Sequence, residues 1–125
     1  MPITITNTTE SKLPNHPFQK MAERVLGKDY DLSLTIVNAE EIKKLNTAYR
    51  SKNKATDILS FPLNEKAGEI FICLEETEKE AVKFDRSFEN FVAFLFIHGL
   101  WHLKGFDHSS TMESNEQTIR HEFDI

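Results

Sequence analysis

Ile3 and Ile5 alternate with threonines up to Asn7, and Leu32, Leu34 and Ile36 repeat the period of two, so both stretches predict strands. Between them Pro17 stands where a first helical turn tolerates it. Phe18, Met21, Ala22 and Val25 follow at helical spacing to a stop at Gly27. Asn38 can cap a helix whose Ile42, Leu45 and Tyr49 form one stripe, with Glu40 and Glu41 near its positive end. Arg50 to Thr56 is polar and predicts a loop. Ile58 to Leu63 predicts a strand that Pro62 confines to a sheet edge or terminates. Gly68 opens a further strand over Glu69 to Leu74, and the charged stretch to Phe84 predicts a helix.

The next segment departs from amphipathic patterning. Ser87 can cap a helix that runs to about Lys104 and stops at Gly105. Phe88, Phe91, Val92, Phe94, Leu95, Phe96, Ile97, Leu100, Trp101 and Leu103 make it apolar nearly all round, the pattern of a buried helix. A last helix is expected over Thr111 to Phe123. Strands and helices interleave too loosely for a doubly wound sheet, which predicts an α+β class. With 125 residues the chain fits one domain over 1–125 and has length for one modest core.

Charge and cysteine usage narrow the setting. No window approaches the ~20 apolar residues of a membrane span, and Met1 to Ile5 lacks the basic start and apolar run of a secretion signal. The lone cysteine, Cys73, has no internal disulfide partner, as expected of a reducing cytoplasm. A net charge of -5 argues against a general nucleic-acid binder. The distribution modifies that: Lys43, Lys44, Arg50, Lys52 and Lys54 form a strip without an acid among them. Such a strip can position a phosphate on an otherwise acidic protein, or be an ordinary solvated face.

Within the apolar helix stand His98 and His102. Residues four apart share a helix face with Cβ atoms ~5–6 Å apart, close enough for two ring nitrogens to meet one zinc ion at ~2.0–2.1 Å. Gly105 allows a sharp turn that can return His108 to a third corner. Burying two imidazoles without partners would cost ~1–3 kcal/mol each, so one metal ion per chain is the preferred reading. Zinc is the default for three imidazoles, with nickel or iron able to substitute. Three protein donors leave a fourth position for water, as in catalytic zinc sites. Cys73 packs more readily as a small hydrophobe than as a fourth donor. The spacing matches part of the metzincin protease pattern, but Gly99 stands where those enzymes carry their glutamate base.

The run His98-Gly99-Leu100-Trp101-His102-Leu103-Lys104-Gly105-Phe106-Asp107-His108 resembles the signature of the bacterial YbeY endoribonucleases, with Phe106 in place of the usual tyrosine. A second block resembles the same family: Leu45-Asn46, Tyr49-Arg50 and Thr56-Asp57-Ile58-Leu59-Ser60-Phe61-Pro62, with Ala55 where proline is common. Gly68-Glu69-Ile70 is a weaker match, and the first forty residues are generic. The resemblance implies a mixed sheet packed with helices and a metal-dependent endonuclease for single-stranded RNA. It further implies work in ribosomal RNA maturation, at the small-subunit 3′ end, and in ribosome quality control. Ribosomal proteins and a ribosome-associated GTPase are its implied partners.

The family's functional arginine falls on Arg50, whose guanidinium can fork two hydrogen bonds onto phosphate oxygens. Lys52 and Lys54 are expected to hold the RNA backbone away from the reaction. Asp107 is expected to orient a ligand imidazole, with assistance to the attacking water as the alternative role. No general base stands out. Two other readings fit the same residues: a metallohydrolase of peptides or amides, and a non-catalytic ribosome assembly factor stabilised by its metal.

Overall fold

The computed structural model describes residues 3–125, so what the sequence implies about Met1 and Pro2 lies outside the described residues. Along the chain come β1 (Thr4–Asn7), α1 (Phe18–Leu26), β2 (Asp31–Ile36), α2 (Ala39–Arg50), β3 (Ile58–Asn64), β4 (Ala67–Ile72), α3 (Leu74–Lys83), α4 (Phe88–Leu103) and α5 (Ser110–Glu122). The strands form one sheet in the order β1-β2-β4-β3. β2 runs parallel to both its neighbours, and β3 runs antiparallel to β4. The expected α+β class with a small mixed sheet is therefore the observed one.

Pro62 lies inside β3, opposite Gly68, and β3 is an edge strand. A missing N–H is tolerated there because the edge has no neighbour to bond on its outer side. Two boundaries differ from the sequence reading. β4 starts earlier, at Ala67, because residues 65–66 make a tight hairpin turn in which Lys66 N–H donates to Asn64 Oδ1 at 2.8 Å. β4 also ends at Ile72, so Leu74 opens α3 rather than closing a strand. Cys73 N–H still donates to the Asp57 carbonyl at 2.9 Å, while the Cys73 carbonyl accepts from Thr77 of the new helix.

One sheet face presents Leu32, Leu34, Ile36, Ile70 and Ile72 to α1 and α4, forming the main core. Burying such side chains fully is worth roughly 1.5–3 kcal/mol each. A smaller cluster of Val37, Ile42, Leu59 and Cys73 lies under α2. α4 is the central element, packed against α1, α3, α5 and β3. Its Phe91, Val92, Phe96, Ile97 and Leu100 are buried, which is why its sequence shows no polar face. Ser87 starts it, its hydroxyl accepting from Asn90 N–H at 3.1 Å.

Candidate metal centre

α4 carries His98 and His102 one turn apart, with their Nε2 atoms 3.0 Å from each other. The helix then ends in a glycine turn. Gly105 adopts φ 103°, Gly105 N–H donates to the His102 carbonyl and Phe106 N–H to the Trp101 carbonyl. This pair of bonds satisfies carbonyls of the last turn and needs a residue free to take positive φ. The reversed chain presents the Phe106 carbonyl to His102 Nδ1 at 2.9 Å and delivers His108 to the other two rings. Donor atoms of the three histidines all lie within 4.8 Å of one another.

The hydrogen bonds fix what the rings can do. Glu116 oxygens lie 3.0 and 3.1 Å from His98 Nδ1, and an acceptor also faces His102 Nδ1, so both Nδ1 atoms carry the proton. The two Nε2 atoms then face each other as lone pairs, an arrangement that a cation between them relieves. A proton is a poor choice for that cation at His102. Burial, and then the nearby His98, hold its pKa below the usual 6.5. Three converging imidazoles, two of them with their tautomer fixed by an acceptor on Nδ1, are the donor chemistry of a divalent metal ion, so the residues fit the expected ion.

Glu116 is the participant that sequence reasoning missed. It sits on α5, its side chain 3% exposed, between buried Met112 and Ile119. Arg120, also buried, has its Nη1 3.7 Å from Glu116 Oε1 and is itself paired with Glu113 at 2.9 Å. An acid inside the apolar stripe Met112, Glu116, Ile119 was the available signal. Asp107 lies exposed next to His108. Two of the rings are oriented by other groups, His98 by Glu116 and His102 by the Phe106 backbone.

Gly99 has a packing reason. A Cβ there would stand 2.9 Å from Ser60 Oγ, 3.0 Å from Ile58 Cδ1 and 3.1 Å from Ile70 Cδ1. The position that holds a glutamate base in zinc proteases is pressed against the sheet here and has no room for one. Arg50, exposed at the end of α2, reaches the same strand from outside, its Nη2 donating to the Ser60 carbonyl at 3.3 Å. Arg50 and the histidine helix thus flank Ser60. Lys52 and Lys54 are exposed on the loop that follows. Cys73 is buried in the cluster under α2, where desolvation raises its thiol pKa, and it is not part of the histidine group.

Fold and centre together define a three-histidine group able to hold a metal ion on one helix and its exit turn, buttressed by a carboxylate from the next helix, in a small α+β domain. The sequence model of endoribonuclease YbeY matches residues 4–124. An endoribonuclease YbeY from Alkaliphilus metalliredigens is 40% identical over 105 residues, spanning 75% of this chain and 68% of the relative. The Phytoplasma australiense endoribonuclease YbeY is 35% identical over 125 residues, spanning 90% and 85%. A solution structure of a Thermotoga maritima protein superposes with a TM-score of 0.70 at 28% identity, covering 97% of this chain and 88% of that one. The chain belongs to the YbeY endoribonuclease family.

Proposed function

We infer that this protein is a zinc-dependent endoribonuclease that cuts single-stranded RNA, in the maturation of ribosomal RNA at the small-subunit 3′ end and in ribosome quality control. The observation that carries the metal-dependent part is the convergence of His98, His102 and His108, with the outer nitrogens of His98 and His102 already engaged. A bound zinc ion supplies Lewis acidity toward a phosphoryl oxygen and acidifies water at neutral pH. The rest belongs to the chain. Glu116 and the Phe106 carbonyl hold two imidazoles in one tautomer and orientation. Arg50 forks onto the phosphate and stabilises its charge as the P–O bond breaks. Lys52 and Lys54 hold neighbouring phosphates, and Asp107, exposed beside His108, assists the water. Gly99 removes the protease route by occupying the site of its base.

The same reading gives a cytoplasmic protein whose partners include ribosomal proteins and a ribosome-associated GTPase. No helix among the described residues is long and apolar enough to cross a membrane. The test is cleavage of a single-stranded RNA by zinc-loaded protein, with a chelator control, a duplex control and unfolded casein in parallel. Chelator-sensitive cutting of the single strand alone is expected. Intact RNA under all conditions would favour the assembly-factor reading, and chelator-sensitive loss of casein would favour a peptide substrate.

A further inference from the structure

Tyr49 belongs by spacing to the apolar stripe of α2, yet it is 71% exposed while Ile42 of that stripe is fully buried. Packing does not account for a tyrosine ring held in water. Its ring is nevertheless held in place, 5.3 Å from the Phe61 ring, which in turn lies 5.8 Å from Phe71. Phe61 and Phe71 are themselves anchored on the cluster under α2. The guanidinium of Arg50 sits 5.8 Å from the Phe61 ring centroid and also donates to the Ser60 carbonyl. Ser51, at φ 56°, ends α2, and the loop beyond carries Lys52 and Lys54, both exposed. The acid-free basic strip and a supported aromatic face therefore occupy one stretch of chain beside the edge strand that the histidine helix packs on from its other side.

We propose that Tyr49, backed by Phe61, is a stacking platform for one nucleobase of the single-stranded RNA, with Arg50, Lys52 and Lys54 holding the flanking phosphates. This rests on the endoribonuclease reading and says where the strand lies on the protein. A ring with a free face accepts any base, because every base has a π-face, whereas a duplex hides its base faces from it. Single-strand preference thus follows from Tyr49, and the reaction itself does not need the ring.

Because Tyr49 is exposed, replacing it leaves the core intact, and the test is direct. A short single-stranded DNA carrying a fluorescent purine analogue serves as an uncut probe, with binding followed by quenching across a range of salt. Tyr49→Ala is expected to bind roughly five- to a hundredfold more weakly with less quenching, and Tyr49→Phe to bind like the parent. The salt slope should be unchanged in Tyr49→Ala, since no phosphate contact is lost. Lys52→Ala and Lys54→Ala should each lower it by about 0.7. Cleavage by Tyr49→Ala should show a raised KM and little change in kcat. Binding of Tyr49→Ala equal to the parent's, or equal loss in Tyr49→Phe, overturns the platform. Normal quenching by a parent protein that cuts no RNA overturns the endoribonuclease reading and leaves the platform standing.

Discussion

Replacing Glu116 by Gln keeps the side chain's shape and removes its charge. The carboxylate faces His98 Nδ1 with both oxygens, at 3.0 and 3.1 Å, and only 3% of the side chain is exposed. A hydrogen bond to a charged group is worth ~1.5–3 kcal/mol net, and an uncharged acceptor about half of that. The amide oxygen of Gln can still accept from Nδ1–H, so roughly 0.75–1.5 kcal/mol is at stake. At ~1.4 kcal/mol per decade this predicts about three- to tenfold weaker zinc binding, reaching the lower end of the ~10–100-fold usual for such supporting residues. Glu116→Gln also weakens the hold on buried Arg120, so Glu113→Gln is the control. It removes the charge from the 2.9 Å partner of Arg120 without touching His98. Competition against a chromophoric zinc chelator measures both variants. Parent-like affinity in Glu116→Gln, or an equal loss in Glu113→Gln, would refute the argument that the carboxylate acts through the imidazole.

His102→Ala should lose stoichiometric metal, since two imidazoles remain, and elemental analysis of the purified variant checks this. Arg50→Lys should keep fold and metal yet slow single-turnover RNA cleavage by about a hundredfold to a thousandfold, because lysine keeps the charge and lacks the fork. The metal-free protein should lose stability on acidification. Burial holds the folded pKa of His102 below its usual 6.5, so its contribution is complete above that value and is lost as pH falls through the lower folded value. Thermal melts of the chelated parent should therefore steepen in their pH dependence below about 6.5, and His102→Asn should flatten the curve.

Much of this was legible because the chain states its geometry through spacing. His98 and His102 at one helical turn, followed by Gly105, predict both the shared face and the reversal that returns His108. Pro62 predicts an edge strand by lacking a donor. What stayed hidden has physical reasons. The acceptor on His102 is the backbone of Phe106, and a carbonyl carries no residue identity. Glu116 comes from a second helix, and its approach to His98 is set by how α5 lies across α4, which one-dimensional patterning does not encode. The exposure of Tyr49 likewise depends on the cluster under α2 being complete without its ring; the stripe alone reads as buried. The strand-to-helix change at Cys73 and Leu74 was missed because buried residues on both sides of a boundary keep no period.

All three metal donors lie within residues 98–108, a span already ordered by a packed helix and a hydrogen-bonded turn. Cross-linking so short a stretch removes less freedom from the unfolded chain than a tie between distant segments would, since the entropy cost of closing a loop grows, slowly, with its length. The ion therefore joins no distant segments. Whatever a bound metal ion adds to folding arrives through mass action on the native state and scales with the free metal, not through a topological tie. A centre arranged this way is placed by its own helix and turn, so the positions of the donors are set by local folding and not by the capture of an ion.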